Sequence, residues 1–585
     1  MDCLESANLP PRLPVPQLSQ TLIEYLRWIE PLISPEEFKR SAQKVANFEK
    51  GSGQRLQSLL LEWDASQEKG WLWPLWDNKY LADRSPLPGN VNFAHQIDEK
   101  GFTDLPFEEY CARIAYALIS MHLEIVTKTF PLEKQHDRPL CMEQYKRIFG
   151  CCRIAAKTTD ELSVYNPTTE SCYFAVLYNR NIYLIPATDQ KGNPASHNQL
   201  SALLAEVFSK NDPPQLNVGA FTGLERDRSA ECFEALIQLG ENKQTLDALR
   251  GSLFNLCIDQ RPPNQTSEEC YKEMLMSKGI DRWFEKGACF VIGNDYSISS
   301  NCEHSGFDGS AWTGVTSRVA LAIRTTPPSS PNRTLEETQR LIWSGSPSIE
   351  EKALEAEKEL ASKFSDLSVA LFTHTDFGRV KIRALTPSPD GFVQLAIQMA
   401  GYKIFGRMVS VYEAVDMRGY AYGRTDCVRP CNMEVLTFIK AYTHQPANLV
   451  TLKELAIAAI EEHRRRLLNS QQGTLLERHL FGLQAISKQT NTHLAADEDF
   501  FDDIGYKTLK YDYLSTSCNN NPFLSTQGYG PSVSDGLGVA YTVLPDQLRF
   551  NITCWSAGLN YQQTFIREIP NALNFLYKLF DTQKI

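Results

Sequence analysis

Three pairs of strand-like segments, each closed by a short polar turn, are set among long capped helical runs. This interleaving restricts the chain to the α/β class with mixed sheets. Residues 172–177 and 182–186 flank Tyr178-Asn179-Arg180-Asn181. Residues 288–292 and 297–303 flank Gly293-Asn294-Asp295, and 538–544 and 548–555 flank Pro545-Asp546. In the last strand Leu548, Phe550, Ile552 and Cys554 alternate with other residues, the pattern of a half-buried strand. Helical spacing joins Leu22, Ile23, Tyr25, Leu26 and Ile29, and runs through 112–126. Ser348 with Glu351, and Thr451 with Glu454, have capping-box spacing; Ser388-Pro389-Asp390 offers a cap, a first-turn proline and an early acid. The stretch from Trp71 to Pro88 reads as a surface crossing pinned by aromatic burial, and 327–345, rich in Pro, Ser and Thr, as a domain crossing.

A chain of 585 residues exceeds one ordinary core, so two large domains are expected. The net charge of -11 argues against a nucleic-acid partner, which selects a basic face. The 15 cysteines include the adjacent Cys151-Cys152 and the pair Cys427 and Cys431, but no CxxC, so they read as reduced thiols and no metal site is expected. No apolar run reaches the roughly 18–20 residues that cross a bilayer. The acidic start Met1-Asp2-Cys3 lacks a signal-peptide pattern, and the ending Gln583-Lys584-Ile585 is only faintly like a peroxisomal tripeptide. A soluble intracellular monomer is expected, in the cytoplasm or in the lumen of a peroxisome or mitochondrion.

Three segments carry chemistry. His304 sits where a strand gives way to a turn, with Asp308 four residues on. A neutral imidazole there is a candidate general base near pH 7. Arg379, Lys381 and Arg383 alternate, so an extended segment would turn three cations to one side and seat a phosphate. Ser515-Thr516-Ser517 puts three hydroxyls in a row, able to aim donors at a developing oxyanion; Gly528-Tyr529-Gly530 follows, with glycines that let backbone approach a ligand closely.

Together with Pro10-Pro11-Arg12-Leu13-Pro14, Pro86-Leu87-Pro88-Gly89-Asn90, Asp281-Arg282-Trp283-Phe284-Glu285-Lys286 and Tyr422-Gly423-Arg424-Thr425-Asp426, these segments resemble the choline/carnitine O-acyltransferases over nearly the whole chain. The resemblance implies reversible acyl transfer between coenzyme A and the hydroxyl of carnitine or choline, with acyl-CoA as co-substrate and no tightly bound cofactor. It implies His304 as base, Asp308 paired with Arg424, and Ser517 as the oxyanion donor. Arg379, Lys381 and Arg383 would seat the 3′-phosphate of coenzyme A, with Asp390 near the adenine. Ser515 would join the substrate-binding residues, and Tyr529 would pack against the acceptor's trimethylammonium. Two similar α/β domains are implied, with a ligand tunnel at their interface: residues 1–88 with 346–585 form one, and 89–345, carrying His304, the other.

Carnitine bears a carboxylate and choline does not. The family's carboxylate-reading tyrosine, threonine and arginine fall on Tyr412, Thr425 and Arg478, so the resemblance points to carnitine. A choline acetyltransferase or a non-catalytic coenzyme A-binding homologue are the alternatives. Acyl chain length turns on whether Gln527 or Gly528 takes one position near the acyl pocket, and stays open with a lean to short or medium chains.

Overall fold

Asn179 and Arg180 both adopt left-handed backbone (φ 51° and 60°), which lets a two-residue turn close the hairpin of strands Tyr173–Tyr178 and Asn181–Pro186. The computed structural model in which this is seen describes residues 9–98, 104–165, 167, 170–262, 264–444, 448–474, 477–496 and 498–581. The expectations for residues 1–6 and for Gln583-Lys584-Ile585 lie outside the described residues.

The chain divides into two units. One comprises Asp77–Val369 with Asn521–Gly530, the other Pro10–Trp76, Ala370–Asn520 and the residues from Pro531 on. These divisions, at 76/77 and 369/370, fall away from the expected 88/89 and 345/346. The expected crossing at 327–345 instead contains strand Gln339–Leu341, which pairs with Ile182–Leu184 in the first unit's sheet.

That sheet has eight strands, in the order Gln339–Leu341, Asn181–Pro186, Tyr173–Tyr178, Asn255–Asp259, Cys289–Gly293, Ile298–Cys302, Phe93–Ile97, Leu524–Tyr529. Tyr173–Tyr178, Asn255–Asp259 and Cys289–Gly293 run parallel; the remaining neighbours pair antiparallel. The second unit's six-stranded sheet follows the order Leu367–His374, Leu548–Trp555, Leu537–Val543, Leu514–Cys518, Val411–Asp416, Thr425–Val428. Here Leu537–Val543, Leu514–Cys518 and Val411–Asp416 run parallel, between the antiparallel strands Leu548–Trp555 and Thr425–Val428. Each unit therefore repeats one plan: a hairpin, a lone parallel strand, a second hairpin. The repeat lies in topology and is not visible as a sequence period. In the second copy the chain leaves between the lone strand Leu514–Cys518 and the second hairpin to add Leu524–Tyr529 to the other sheet, a strand with no counterpart among the expected ones.

Helices fall where capped runs were expected, with shifts at several ends. Ser388 caps Pro389–Phe405 by accepting from Gly391 N at 3.1 Å. The cap of Pro347–Asp366 is Ser346, not Ser348, because Pro347 takes the first helical position. Asn448, not Thr451, caps Leu449–Gln471, and accepts from the Thr451 amide. The Trp–Pro stretch expected as a surface crossing contains helix Leu72–Leu81, its Pro74 in the first turn where proline is tolerated, with Trp71, Trp73 and Trp76 buried. Strand Leu548–Trp555 is buried on both faces save Arg549 and Trp555, since helix Leu559–Phe580 packs back on it.

Candidate active site

In the first unit, strand Ile298–Cys302 pairs on both edges, and its end delivers His304 to a turn that opens helix Gly309–Ile323. His304 Nδ1 lies 2.8 Å from the Phe307 carbonyl oxygen. A carbonyl only accepts, so Nδ1 donates, which leaves Nε2 as the nitrogen through which the ring can act as a base. The ring is held by Tyr80 at 5.1 Å and by the edge of Phe93 at 4.9 Å, and keeps 26% of its side chain exposed while Asp308 keeps 2%.

Asp308 stands 3.8 Å from Nδ1, beyond hydrogen-bond reach. Gln144 locks it instead: its amide donates to Asp308 Oδ2 at 3.0 Å, and its carbonyl accepts from the Asp308 backbone at 2.8 Å. Glu303, on the other side of His304, accepts from Ser305 N at 3.0 Å and Ser305 Oγ at 2.6 Å. Behind it lies a buried chain of charges: Arg153 binds Asp160 at 2.7 Å, Arg226 binds Asp160 at 2.6 Å and Glu285 at 2.8 Å. Burial works to raise the Asp160 carboxyl, but Arg226 and Arg153 together hold it below the usual carboxylate range. The turn is thus fixed from both flanks. Sequence reasoning found neither Gln144 nor this chain, whose members lie up to 150 residues apart.

Tyr529 stands opposite Phe93 in the sheet register, on the face that carries His304's aromatic neighbour. Gly530 allows a close approach of backbone to backbone: a Cβ there would stand 1.8 Å from the Gly89 carbonyl oxygen.

In the second unit, Tyr412 pairs in parallel with Ser515, and Asp416 is opposite Thr425. Strand alternation then puts Tyr412, Thr425, Ser515 and Ser517 on one face. Thr516 is on the other, where its hydroxyl donates to Tyr412 O at 2.7 Å and accepts from Gln394 at 3.0 Å. The expected row of three hydroxyls is thus two, because a strand turns every second side chain away.

Arg478 joins this face from the first turn of helix Arg478–Gln489. Its Nη2 donates to Tyr412 Oη at 2.7 Å and lies 3.5 Å from Thr425 Oγ1, its Nε donates to Thr425 O at 3.1 Å, and its Nη1 to Glu477 at 3.0 Å. Trp76 covers the guanidinium at 4.1 Å. Burial opposes the Arg478 charge, yet Tyr412 and Glu477 more than restore it; burial pushes the Tyr412 phenol up to about 12, against the pull of Arg478. The three residues proposed to read a carboxylate thus meet in one cluster. Arg424 is fully buried in the same unit, its guanidinium 5.6 Å from the Trp73 ring.

The basic stretch is helical, not extended: Arg379–Leu385 forms a short helix. At 100° per residue Arg379 and Arg383 share a face and Lys381 points away, donating to Asp376 O at 2.9 Å. The helix is docked by Arg379 N on Leu544 O at 2.7 Å. Asp390 is turned under the second sheet, where it accepts from Tyr541 at 2.7 Å; burial and Glu413 push its carboxyl up to about 7. Asp390, Glu413 and His463 have ligating atoms within 4.8 Å of one another, but His463 Nε2 already meets Glu413 at 2.7 Å, so the cluster neutralises itself. Every cysteine among the described residues is a free thiol, and all but Cys518 are buried. Among the described residues no helix is long and apolar enough to cross a membrane.

The family description Choline/Carnitine o-acyltransferase matches residues 13–570. Human carnitine O-acetyltransferase is 28% identical over 94% of this chain and 89% of its own length. Bovine peroxisomal carnitine O-octanoyltransferase is 28% identical over 94% and 92%, and porcine choline O-acetyltransferase 27% over 93% and 88%. A match over so much of the chain shows that the chain belongs to the choline/carnitine O-acyltransferase family, whose members use acyl-CoA as co-substrate, and that it is an acyltransferase.

Proposed function

We propose that the acceptor is carnitine. The observation that supports this most is the cluster of Tyr412, Thr425 and Arg478: a buried guanidinium with two hydroxyls beside it is the seat of a carboxylate, and choline has none. In this reading His304 Nε2 takes the proton of the carnitine hydroxyl as its oxygen attacks the thioester carbonyl. The carbonyl becomes a tetrahedral oxyanion, which Ser517 steadies by donating a hydrogen bond. Collapse breaks the carbon–sulfur bond, and the departing thiolate takes the proton back from His304. Every step reverses when free coenzyme A meets an acylcarnitine. Arg379 and Arg383 seat the 3′-phosphate, and Tyr529 faces the trimethylammonium.

Initial rates of thiol release, with acetyl- to palmitoyl-CoA as donor and carnitine, its carboxamide or choline as acceptor, test the proposal. Carnitine is expected to exceed both others in kcat/KM, with short or medium chains preferred. Equal rates with carnitine and choline would refute the carboxylate reading.

A further inference from the structure

Arg478 is set at a costly place. It occupies the first position of helix Arg478–Gln489, where the unpaired N–H groups make the local field positive and disfavour a cation. Glu477 takes the cap position, but its side chain accepts no capping hydrogen bond from the helix backbone. Its carboxylate is fully buried and turned away, toward three cations. It accepts from Arg478 Nη1 at 3.0 Å and from Arg429 Nη2 at 3.0 Å, and it pairs with Lys510. Arg429 is tied down in turn by Ser410 Oγ at 3.1 Å and by Asp512. The helix N–H that Glu477 leaves uncapped is taken by Asp426, whose Oδ1 accepts from Arg478 N at 3.2 Å.

The donor count of Arg478 gives this arrangement a purpose. Glu477 holds Nη1 and the Thr425 carbonyl holds Nε, so the guanidinium plane is fixed from behind. Only Nη2 turns forward, toward the hydroxyls of Tyr412 and Thr425. Without Glu477 the helix field and the charges of Arg429 and Lys510 would all repel the guanidinium from its seat. We infer that Glu477 is a positioning residue for acceptor recognition: it holds Arg478 by its rear donors so that its forward donor faces the substrate carboxylate. This rests on the carboxylate reading proposed above.

The test uses the full-length enzyme with carnitine and carnitine carboxamide as acceptors, for the parent, Glu477→Asp, Glu477→Gln, Arg478→Ala and the doubles with Arg478→Ala. Glu477→Asp keeps the buried charge, and so protects the fold, but draws the carboxylate back by one methylene. The expected result is a KM for carnitine raised about tenfold or more by Glu477→Gln and less by Glu477→Asp, with the KM for acyl-CoA within twofold. With Arg478 already removed, changing Glu477 is expected to add nothing to the carnitine KM. Should Glu477→Gln fail to fold, the Glu477→Asp pair decides. Equal rises in both KM values, or a full additional loss on top of Arg478→Ala, would overturn the inference and leave Glu477 a purely structural ion. A parent enzyme that does not distinguish carnitine from its carboxamide would instead overturn the carboxylate reading itself, before Glu477 is reached.

Discussion

Arg478→Ala is the substitution whose consequence can be worked most fully from the geometry. It removes a guanidinium that is 5% exposed, donates to Tyr412 and Thr425, and is capped by Trp76. Truncating one partner of a buried, hydrogen-bonded charge pair costs about 2–5 kcal/mol. The lower half applies here, because Glu477 keeps Arg429 and Lys510 and is not left alone. A loss of about 2–3 kcal/mol is about a 30- to 150-fold loss of affinity. The proposed carboxylate lies away from the bond that changes, so ground state and transition state lose equally, and the effect belongs in KM. Initial rates with carnitine varied at saturating acyl-CoA should show that rise, with kcat within a few-fold and the KM for acyl-CoA unchanged. A carnitine KM that moves less than threefold, or a loss that falls on kcat alone, would refute the reasoning.

Ser517→Ala removes the proposed oxyanion donor, so kcat should fall about 10²–10³-fold with little change in either KM, measured by the same assay. Gly530→Ala drives a methyl group toward the Gly89 carbonyl oxygen, a backbone atom that cannot turn aside, and should cost about 2 kcal/mol or more, read as a lowered midpoint in denaturant unfolding. Burial raises the Asp281 carboxyl to about 6, against the hydrogen bond it accepts from Arg180 N. The fold therefore holds that proton after the unfolded chain has released it, and stability falls as pH rises from about 4 to 6. Asp281→Asn, which suits the left-handed backbone (φ 52°), should remove that fall and gain about 1–3 kcal/mol at pH 8 relative to pH 4.

The sequence was most legible where local chemistry dictates local geometry. The hairpin turns, the Ser388-Pro389 helix start and the strand leading to His304 each depend on neighbours in the chain, and each is where its residues indicated. Asp281-Arg282-Trp283-Phe284-Glu285-Lys286 was a landmark of resemblance, and the structure gives it a scaffold role: Arg282 grips Asp259 at 2.7 and 2.8 Å, Glu285 grips Arg226, and Lys286 donates to Arg250 O. Alternating charges misled at Arg379-Val380-Lys381, since alternation fixes a face only if the segment is extended, and docking on the 544–547 turn makes it a helical turn instead. Contacts between distant positions left no local mark. Gln144 on the histidine turn and Glu477 behind Arg478 are ordinary polar residues until the fold brings their partners up.

The central claim is a histidine-dependent transfer of the acyl group to carnitine, and a single-turnover measurement tests it most directly. Enzyme in excess of acyl-CoA is mixed with carnitine, thiol release is followed, and the parent chain is compared with His304→Ala. Carnitine-dependent release that slows by about 10²–10⁴-fold in His304→Ala, while acyl-CoA still binds, is the expected result. Release that does not depend on carnitine, or that survives unchanged without His304, would contradict it.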